Sequence, residues 1–387
     1  MVYVHVPFCG SFCTYCGFYS ETTASAGNCI GPYCRALEGE IRLRKDEILG
    51  ADSPDTLYIG GGTPSVLPPD CIGSIAEALY AVRGRAGYEE FTVEVNPEDI
   101  AEKGLPYVRA LAAAGVDRIS MGVQSLDDNV LKWMNRRHDA ATARRAYRIL
   151  REAGISNISL DLIFGISSMP DRIWLSSLKE AADGLGTGFP PEHISAYQLS
   201  VEPGSVLGQL VSSGKYAEAS DVCCSRQYDM LCGFLAEAGY RHYEISNFAL
   251  PGHEARHNSG YWTHSPYVGL GPAAHSFSLS GRRRSWNVSS LSGYLAASSE
   301  RPDLLPDGAP VFSGGHEILT DRQLAMEKIM LGLRTDTGVD EGYLRENTRA
   351  GAVDRALESG SLCRSRSCLR IPEVRFFVSD NIIAELF

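Results

Sequence analysis

No run in this chain approaches the roughly 18–20 apolar residues that a membrane-spanning helix needs. No charged stretch followed by a short apolar segment opens it either, so it does not read as a secretory signal. Basic residues are scarce relative to acidic ones, 36 Lys and Arg against 47 Asp and Glu, giving a formal charge of −11. That balance argues against a nucleic-acid backbone as partner. Neither an internal repeat nor a low-complexity tract is present, which excludes repeat architectures. The 11 cysteines are an odd count without a secretory signal, which argues against a disulfide framework and for a reducing cytosol. The expectation is a soluble, cytoplasmic protein.

What is present is an α/β pattern. The chain of 387 residues exceeds one ordinary domain, although α/β barrels often run about 200–250 residues as a unit. Strand-like runs recur at Val2–Val6, Thr56–Ile59, Phe91–Val95, Arg118–Val123, Asn157–Phe164 and His193–Leu199. Helical stretches lie between them, and Gly115 and Gly154 sit where helix C-caps are expected. Six such alternations predict a parallel sheet with right-handed crossovers, a doubly wound sheet or a barrel. The strands lead into Cys9, Gly60–Pro64, Glu94–Pro97, Gln124-Ser125, Asp161 and Gln198. Polar and glycine residues at that end of every strand point to one shared cavity. Beyond Glu202 the pattern predicts a helix over Ala217–Ala238, a strand over Arg241–Ile245, a helix over Leu319–Leu333, and a hairpin with a terminal helical turn over Cys368–Phe387. Residues from about Pro251 to Gly315 show little periodicity. The predicted organisation is a core over 1–240, a connecting region over 241–315 and a small C-terminal helical/β module over 316–387.

Three cysteines, Cys9, Cys13 and Cys16, stand at a Cys-x3-Cys-x2-Cys spacing just after the first strand. Thiolate sulfur suits iron–sulfur clusters, which normally take four such ligands, so three leave one iron open to another ligand. Zinc prefers Cys-x2-Cys pairs, and buried apolar thiols are a third possibility. Gly60-Gly61-Gly62-Thr63-Pro64 lets backbone groups approach a ligand closely, or is simply a tight turn. It is not a phosphate loop, because the Gly-Lys-Ser/Thr ending is missing. Glu94 and Asp161 can accept from an ammonium or ribose hydroxyls. Arg136 can fork onto a carboxylate or sit at the surface of a helix end.

The cysteine and glycine motifs together resemble the radical S-adenosylmethionine enzymes. Tyr3–Cys9, Ser120–Ser125, Leu160–Gly165 and His242–Phe248 are similar to the group containing the oxygen-independent coproporphyrinogen III oxidases, with a weaker match at Asn381–Phe387. The resemblance implies a partial (β/α)6 barrel with a winged-helix-like C-terminal module. It implies a [4Fe-4S] cluster on Cys9, Cys13 and Cys16, whose electron splits the cofactor S-adenosylmethionine in that superfamily. Tyr3, Gly61 and Glu94 would contact the cluster-bound cofactor; Tyr15, Gly62, Thr63, Gln124, Arg136 and Asp161 match positions that hold a second cofactor molecule in the oxidase. Two departures stand out: Phe18 occupies the place of the oxidase's fourth cysteine, and the chain starts directly at the first strand rather than with an extension.

Arg256-His257-Asn258-Ser259-Gly260-Tyr261-Trp262 resembles the His-Asn-x-x-Tyr-Trp signature of the heme-chaperone (HemW-type) branch. The expected ligand is then heme, the expected partners a heme-accepting client protein and an electron donor, and propionate-to-vinyl oxidase activity is the alternative. A radical S-adenosylmethionine enzyme of another specificity is a third reading, and no catalytic residue is assigned. His257 is either an axial ligand to heme iron, with aromatic rings over the macrocycle, or a hydrogen-bonded core histidine beside a packing tryptophan. His5 and His275 receive no ligand role. Cys29, Cys34, Cys71, Cys223, Cys224 and Cys232 are read as core or surface thiols, and Cys363 and Cys368 as unpaired.

Overall fold

Along each predicted strand, apolar and polar residues alternate, and the computed structural model shows where each set goes. It describes residues 1–299 and 312–387; residues 300–311 of the region read as connecting lie outside them. The six strands form as β1 (Val2–Val6), β2 (Thr56–Gly61), β3 (Glu90–Val95), β4 (Arg118–Gln124), β5 (Asn157–Phe164) and β6 (His193–Gln198). Each is parallel to the next in sequence. Val2, Val4, Leu57, Ile59, Phe91, Val93, Ile119, Met121, Ile158, Leu160 and Ile194 form the buried outward layer under the helices. The intervening positions, among them Tyr3, Tyr58, Glu94, Arg118, Ser120, Asp161, His193 and Ser195, face a lumen. This is a partial (β/α)6 barrel whose interior is polar.

The helices form where the pattern and the caps agree. They are α1 (Ile30–Leu43), α2 (Pro69–Arg83), α3 (Pro97–Ala113), α4 (Ala140–Glu152), α5 (Asp171–Ala182) and α6 (Asp221–Glu237). In α4 the Asp139 side chain accepts from Thr142 N, and Ala143, Ala146, Tyr147 and Leu150 form the buried stripe. Helix α6 starts at Asp221 rather than Ala217, because the Ser220 hydroxyl accepts from Cys223 N and fixes the first turn there.

The region read as connecting is integral to the sheet. Its strand β7 (Arg241–Glu244) pairs antiparallel with β8 (Asn247–Ala249), which adds antiparallel to β6, and β9 (Val268–Leu270) adds parallel to β1 at the other edge. The nine-stranded order is β9-β1-β2-β3-β4-β5-β6-β8-β7, with no pairing between its two edges among the described residues. The aperiodic stretch also holds a helix, α7 (Arg256–Trp262), and a small antiparallel sheet of β10 (His275–Ser278), β11 (Arg283–Asn287) and β12 (Ser313–Ile318). Glu40 on α1 ties this stretch down. Its carboxylate is fully buried and accepts from Gly271 N at 2.8 Å, Tyr294 OH at 2.7 Å, Asn287 Nδ2 at 2.7 Å and Arg44 Nη1 at 3.2 Å.

The C-terminal module runs α8 (Asp321–Gly332), β13 (Val339–Asp340), α9 (Glu341–Asn347), α10 (Ala352–Glu358), β14 (Cys363–Ser365), β15 (Cys368–Arg370) and α11 (Ser379–Ala384), a winged-helix order. Thr320 and Gln323 close a capping box at the start of α8. The hairpin begins at Cys363, ahead of the predicted Cys368, and turns at Arg366 in the left-handed region with φ 56°. No helix among the described residues is long and apolar enough to cross a membrane.

Candidate cluster and cofactor site

The cysteine loop leaves β1 and is fastened at both ends and in the middle. Phe8–Cys9 pairs in parallel with Glu21–Thr22, closing the loop on itself. Thr14 N donates to Met134 O at 3.0 Å, Thr14 Oγ1 to Trp133 O at 3.0 Å, and Leu207 N to Thr14 O at 2.8 Å. A Cys16 N to Cys13 O bond of 3.3 Å makes the tight turn that gathers the thiols. Cys9, Cys13 and Cys16 all line one cavity of about 730 Å³. The Thr63 hydroxyl donates to Cys9 Sγ at 3.5 Å, and Arg136 Nη1 to Cys13 Sγ at 3.3 Å. Burial pushes the Cys9 and Cys16 thiols up, and the neighbouring cysteines push them the same way.

The glycine motif meets the loop from β2. Gly62 N donates to Val6 O at 2.8 Å and Thr63 N to Phe8 O at 2.7 Å. A Cβ on Gly62 would lie 2.6 Å from the Phe8 carbonyl oxygen and 3.1 Å from Cys9 Sγ, so only glycine fits beside the thiols. Gly61 has φ +112°, and a Cβ there would lie 2.7 Å from the His5 ring. Its N–H donates to Glu94 Oε2 at 3.2 Å, while Tyr58 OH donates to Glu94 Oε1 at 2.7 Å. Burial pushes Glu94 up to about 7, against the pull of the Tyr58 hydrogen bond.

Arg136 is a cavity residue rather than a surface one. Besides Cys13, its Nη2 donates to Asn96 Oδ1 at 2.7 Å and to Gly122 O at 2.9 Å. The pairing of β4 with β5 shifts register between Gly122 and Gln124, and Gln124 takes φ 64°. Such a bulge re-aims a side chain at some backbone cost. Asp161 accepts from the Ser120 hydroxyl at 3.0 Å, and burial pushes its carboxyl up. Tyr3, Tyr15, Gly61, Gly62, Thr63, Glu94, Gln124, Arg136, Asp161 and His257 join the three cysteines around the same cavity.

His257 lies at its other end. Arg256 N and His257 N donate to the Glu90 carboxylate at 2.8 Å each, seating α7 across the starts of the strands. The His257 ring bonds Thr56 Oγ1 through Nδ1 at 2.8 Å and Tyr261 OH through Nε2 at 3.0 Å. It is 2% exposed, and burial pushes its pKa down to about 3, so the ring is neutral. Both ring nitrogens are engaged within the protein, as the hydrogen-bonded core reading of the motif expects. Tyr261 and Asn258 line the cavity and Trp262 does not.

A three-thiolate loop on a partial (β/α)6 barrel is the architecture of the radical SAM superfamily, whose sequence model matches residues 3–180. The chain is 32% identical over 349 residues to the heme chaperone HemW of Bacillus subtilis, covering 89% of this chain and 86% of that protein. With HemW of Mycobacterium tuberculosis (strain H37Rv) it shares 34% over 356 residues, 91% of this chain and 86% of the relative. With the mitochondrial radical S-adenosyl methionine domain-containing protein 1 of Bos taurus it shares 31% over 352 residues, 89% and 75%. The chain belongs to the HemW heme-chaperone family. Coproporphyrinogen III oxidase (HemN) from Escherichia coli has the same fold, with a TM-score of 0.78 at 21% identity over 100% of this chain and 89% of that one.

The superfamily carries a [4Fe-4S] cluster and S-adenosylmethionine, and the residues present fit both: three gathered thiols, a glycine cradle and a carboxylate beside it. Several cavity residues escaped the sequence reading. Asn96, Gly122, Tyr58, Arg118, His193 and Tyr197 also line the lumen. The signal for Tyr58, Arg118 and His193 was available, since each lies on the polar side of a period-2 strand. Asn96 closes a strand end, but its tie to Arg136 is visible only in three dimensions.

Proposed function

We propose that this chain binds heme and passes it to a client protein, with the cluster and S-adenosylmethionine in the barrel beneath. The observation that carries the reading is the near-full-length similarity to proteins named as heme chaperones, 32% over 89% of the chain in one case. In this reading Cys9, Cys13 and Cys16 hold the cluster. Tyr3, Gly61 and Glu94 orient the cofactor, Glu94 by accepting from its polar groups once ionised. Tyr15, Gly62, Thr63, Gln124, Arg136 and Asp161 line the remaining space. The cluster supplies one-electron chemistry when bound. Arg136 offsets thiolate charge at Cys13, through the 3.3 Å contact.

In this reading heme rests at the mouth rather than on His257, whose ring nitrogens already bond Thr56 and Tyr261. Phe12 and Phe18, 50% and 74% exposed, line the cavity together with the thiols and give a flat apolar ring something to lie on. Phe18 stands where the oxidase has a cysteine, which favours holding a porphyrin over decarboxylating it. A cytoplasmic setting accords with all eleven cysteines being free. Anaerobic heme titration of the cluster-loaded protein, beside an assay with coproporphyrinogen III, tests this. Stoichiometric heme binding without propionate-to-vinyl conversion is expected; robust conversion, or no heme binding, overturns it.

A further inference from the structure

Three potential metal ligands outside the cavity converge where the C-terminal module meets the barrel. Cys232 comes from α6, His242 from β7, and Glu373 from the short 3-10 helix Glu373–Val378 that follows β15. Their donor atoms, Cys232 Sγ, His242 Nδ1 and a Glu373 carboxylate oxygen, all lie within 4.8 Å of one another. Nδ1 is 3.0 Å from Glu373 Oε1 and 3.8 Å from Cys232 Sγ. Around a tetrahedral zinc ion, with Zn–S near 2.3 Å and Zn–N and Zn–O near 2.0–2.2 Å, such donors would be about 3.4–3.6 Å apart. Shifts of a few tenths of an ångström would bring the His–Glu and His–Cys pairs to those spacings.

From this geometry we infer a zinc-binding site at Cys232, His242 and Glu373 that fastens the C-terminal module to the barrel. The imidazole is prepared for ligation. Its other nitrogen, Nε2, lies 3.3 Å from Tyr228 OH and 3.4 Å from Ile245 O, so the remaining N–H is donated outward as in protein zinc sites. The ring is held flat against Phe248 at 4.1 Å and 15°, with Phe376 of the module edge-on at 5.1 Å. Sulfur, nitrogen and oxygen donors together suit a borderline cation such as Zn²⁺. Thiolate plus carboxylate balance its two charges, the imidazole staying neutral. A fourth position is left for water on the side of Glu373, whose side chain is 48% exposed. A plain histidine–glutamate ion pair would explain the 3.0 Å contact but gives the thiol no part. Binding releases the thiol proton to solvent and involves no change of oxidation state.

The test uses the anaerobic, cluster-loaded full chain dialysed against a zinc buffer, with zinc and iron measured together. Wild type should retain one zinc per chain beyond its cluster iron and melt at higher temperature with zinc than without. Cys232→Ser should lower zinc affinity by about 10- to 100-fold or more, with cluster iron unchanged. Glu373→Gln, on the exposed side of the site, should weaken binding in the same direction and guards against a folding defect in the first variant. Cys71→Ser should behave as wild type. No zinc in wild type beyond the cluster, or wild-type zinc binding in both Cys232→Ser and Glu373→Gln, overturns the site.

Discussion

The two ends of the barrel handle their polar groups in opposite ways. At the floor the start of α7 is tied down: Glu90 takes the Arg256 and His257 backbone N–H groups, and the His257 ring bonds Thr56 and Tyr261. At the mouth the thiols of Cys9 and Cys13 take hydrogen bonds from Thr63 and Arg136 and still face the cavity, and Phe12 and Phe18 stand in solvent. Buried polar groups that satisfy one another hold structure, whereas groups left with capacity await a ligand. In the proposed function ligand traffic belongs to the mouth and architecture to the floor, although the His-Asn-x-x-Tyr-Trp motif lies at the floor.

The hardest blow to that division is at the thiols. Replacing Cys9, Cys13 and Cys16 together with Ala should abolish the cluster's visible absorbance in reconstituted protein, because such clusters depend on thiolate ligands. Cys71→Ala should keep it. Retention of the spectrum in the triple variant would remove the mouth as the ligand end.

Gly61→Val should come next. At φ +112° a branched side chain is strained, and its Cβ would press on the His5 ring. Calorimetry should show S-adenosylmethionine binding lost or weakened by more than about 100-fold, roughly 2.7 kcal/mol or more, while the iron content stays the same. Unchanged affinity would mean that the motif is only a turn.

The pH dependence is a smaller effect with a definite sign. Glu94 is raised to about 7, so it is mostly neutral below that pH and ionised above it. A cofactor that needs the carboxylate should bind about tenfold more weakly for each pH unit below 7 and level off above it. Glu94→Gln should bind weakly at every pH. A wild-type profile flat from pH 6 to 8 would take the carboxylate out of the binding step.

The floor should respond in stability alone. His257→Ala removes both ring hydrogen bonds and leaves Thr56 and Tyr261 short of a partner, at a cost of about 1–3 kcal/mol. Thermal melting should show that loss while the heme Soret band keeps its wild-type position and shape. A changed Soret spectrum would make the floor a ligand end after all.

Much of this contrast could be read before the structure. Strand β5 was legible at its full extent, because Ile158, Leu160 and Leu162 alternate with the polar Asn157, Ser159 and Asp161. The cysteine and glycine motifs were legible because cluster and cofactor chemistry demands those residue types at those spacings. The fate of His257 was not. Its helix is seven residues long and starts on a carboxylate 166 positions away in sequence, a contact no local pattern carries. Strands β8 and β9, three residues each, are likewise too short for periodicity and exist because β6 and β1 offer them edges. The hairpin was displaced for a similar reason: its turn residue, Arg366, is not one that announces a left-handed conformation.

With α7 seated over the starts of β2 and β3, the loop end of the barrel is the natural way in and out. A ligand that uses it and lies deepest enters first and leaves last. A macrocycle resting on Phe12 and Phe18 would then act as a stopper on the cofactor beneath it, and off-rates rather than affinities would report the order: S-adenosylmethionine should wash out slowly while heme is in place and quickly once a client has taken it.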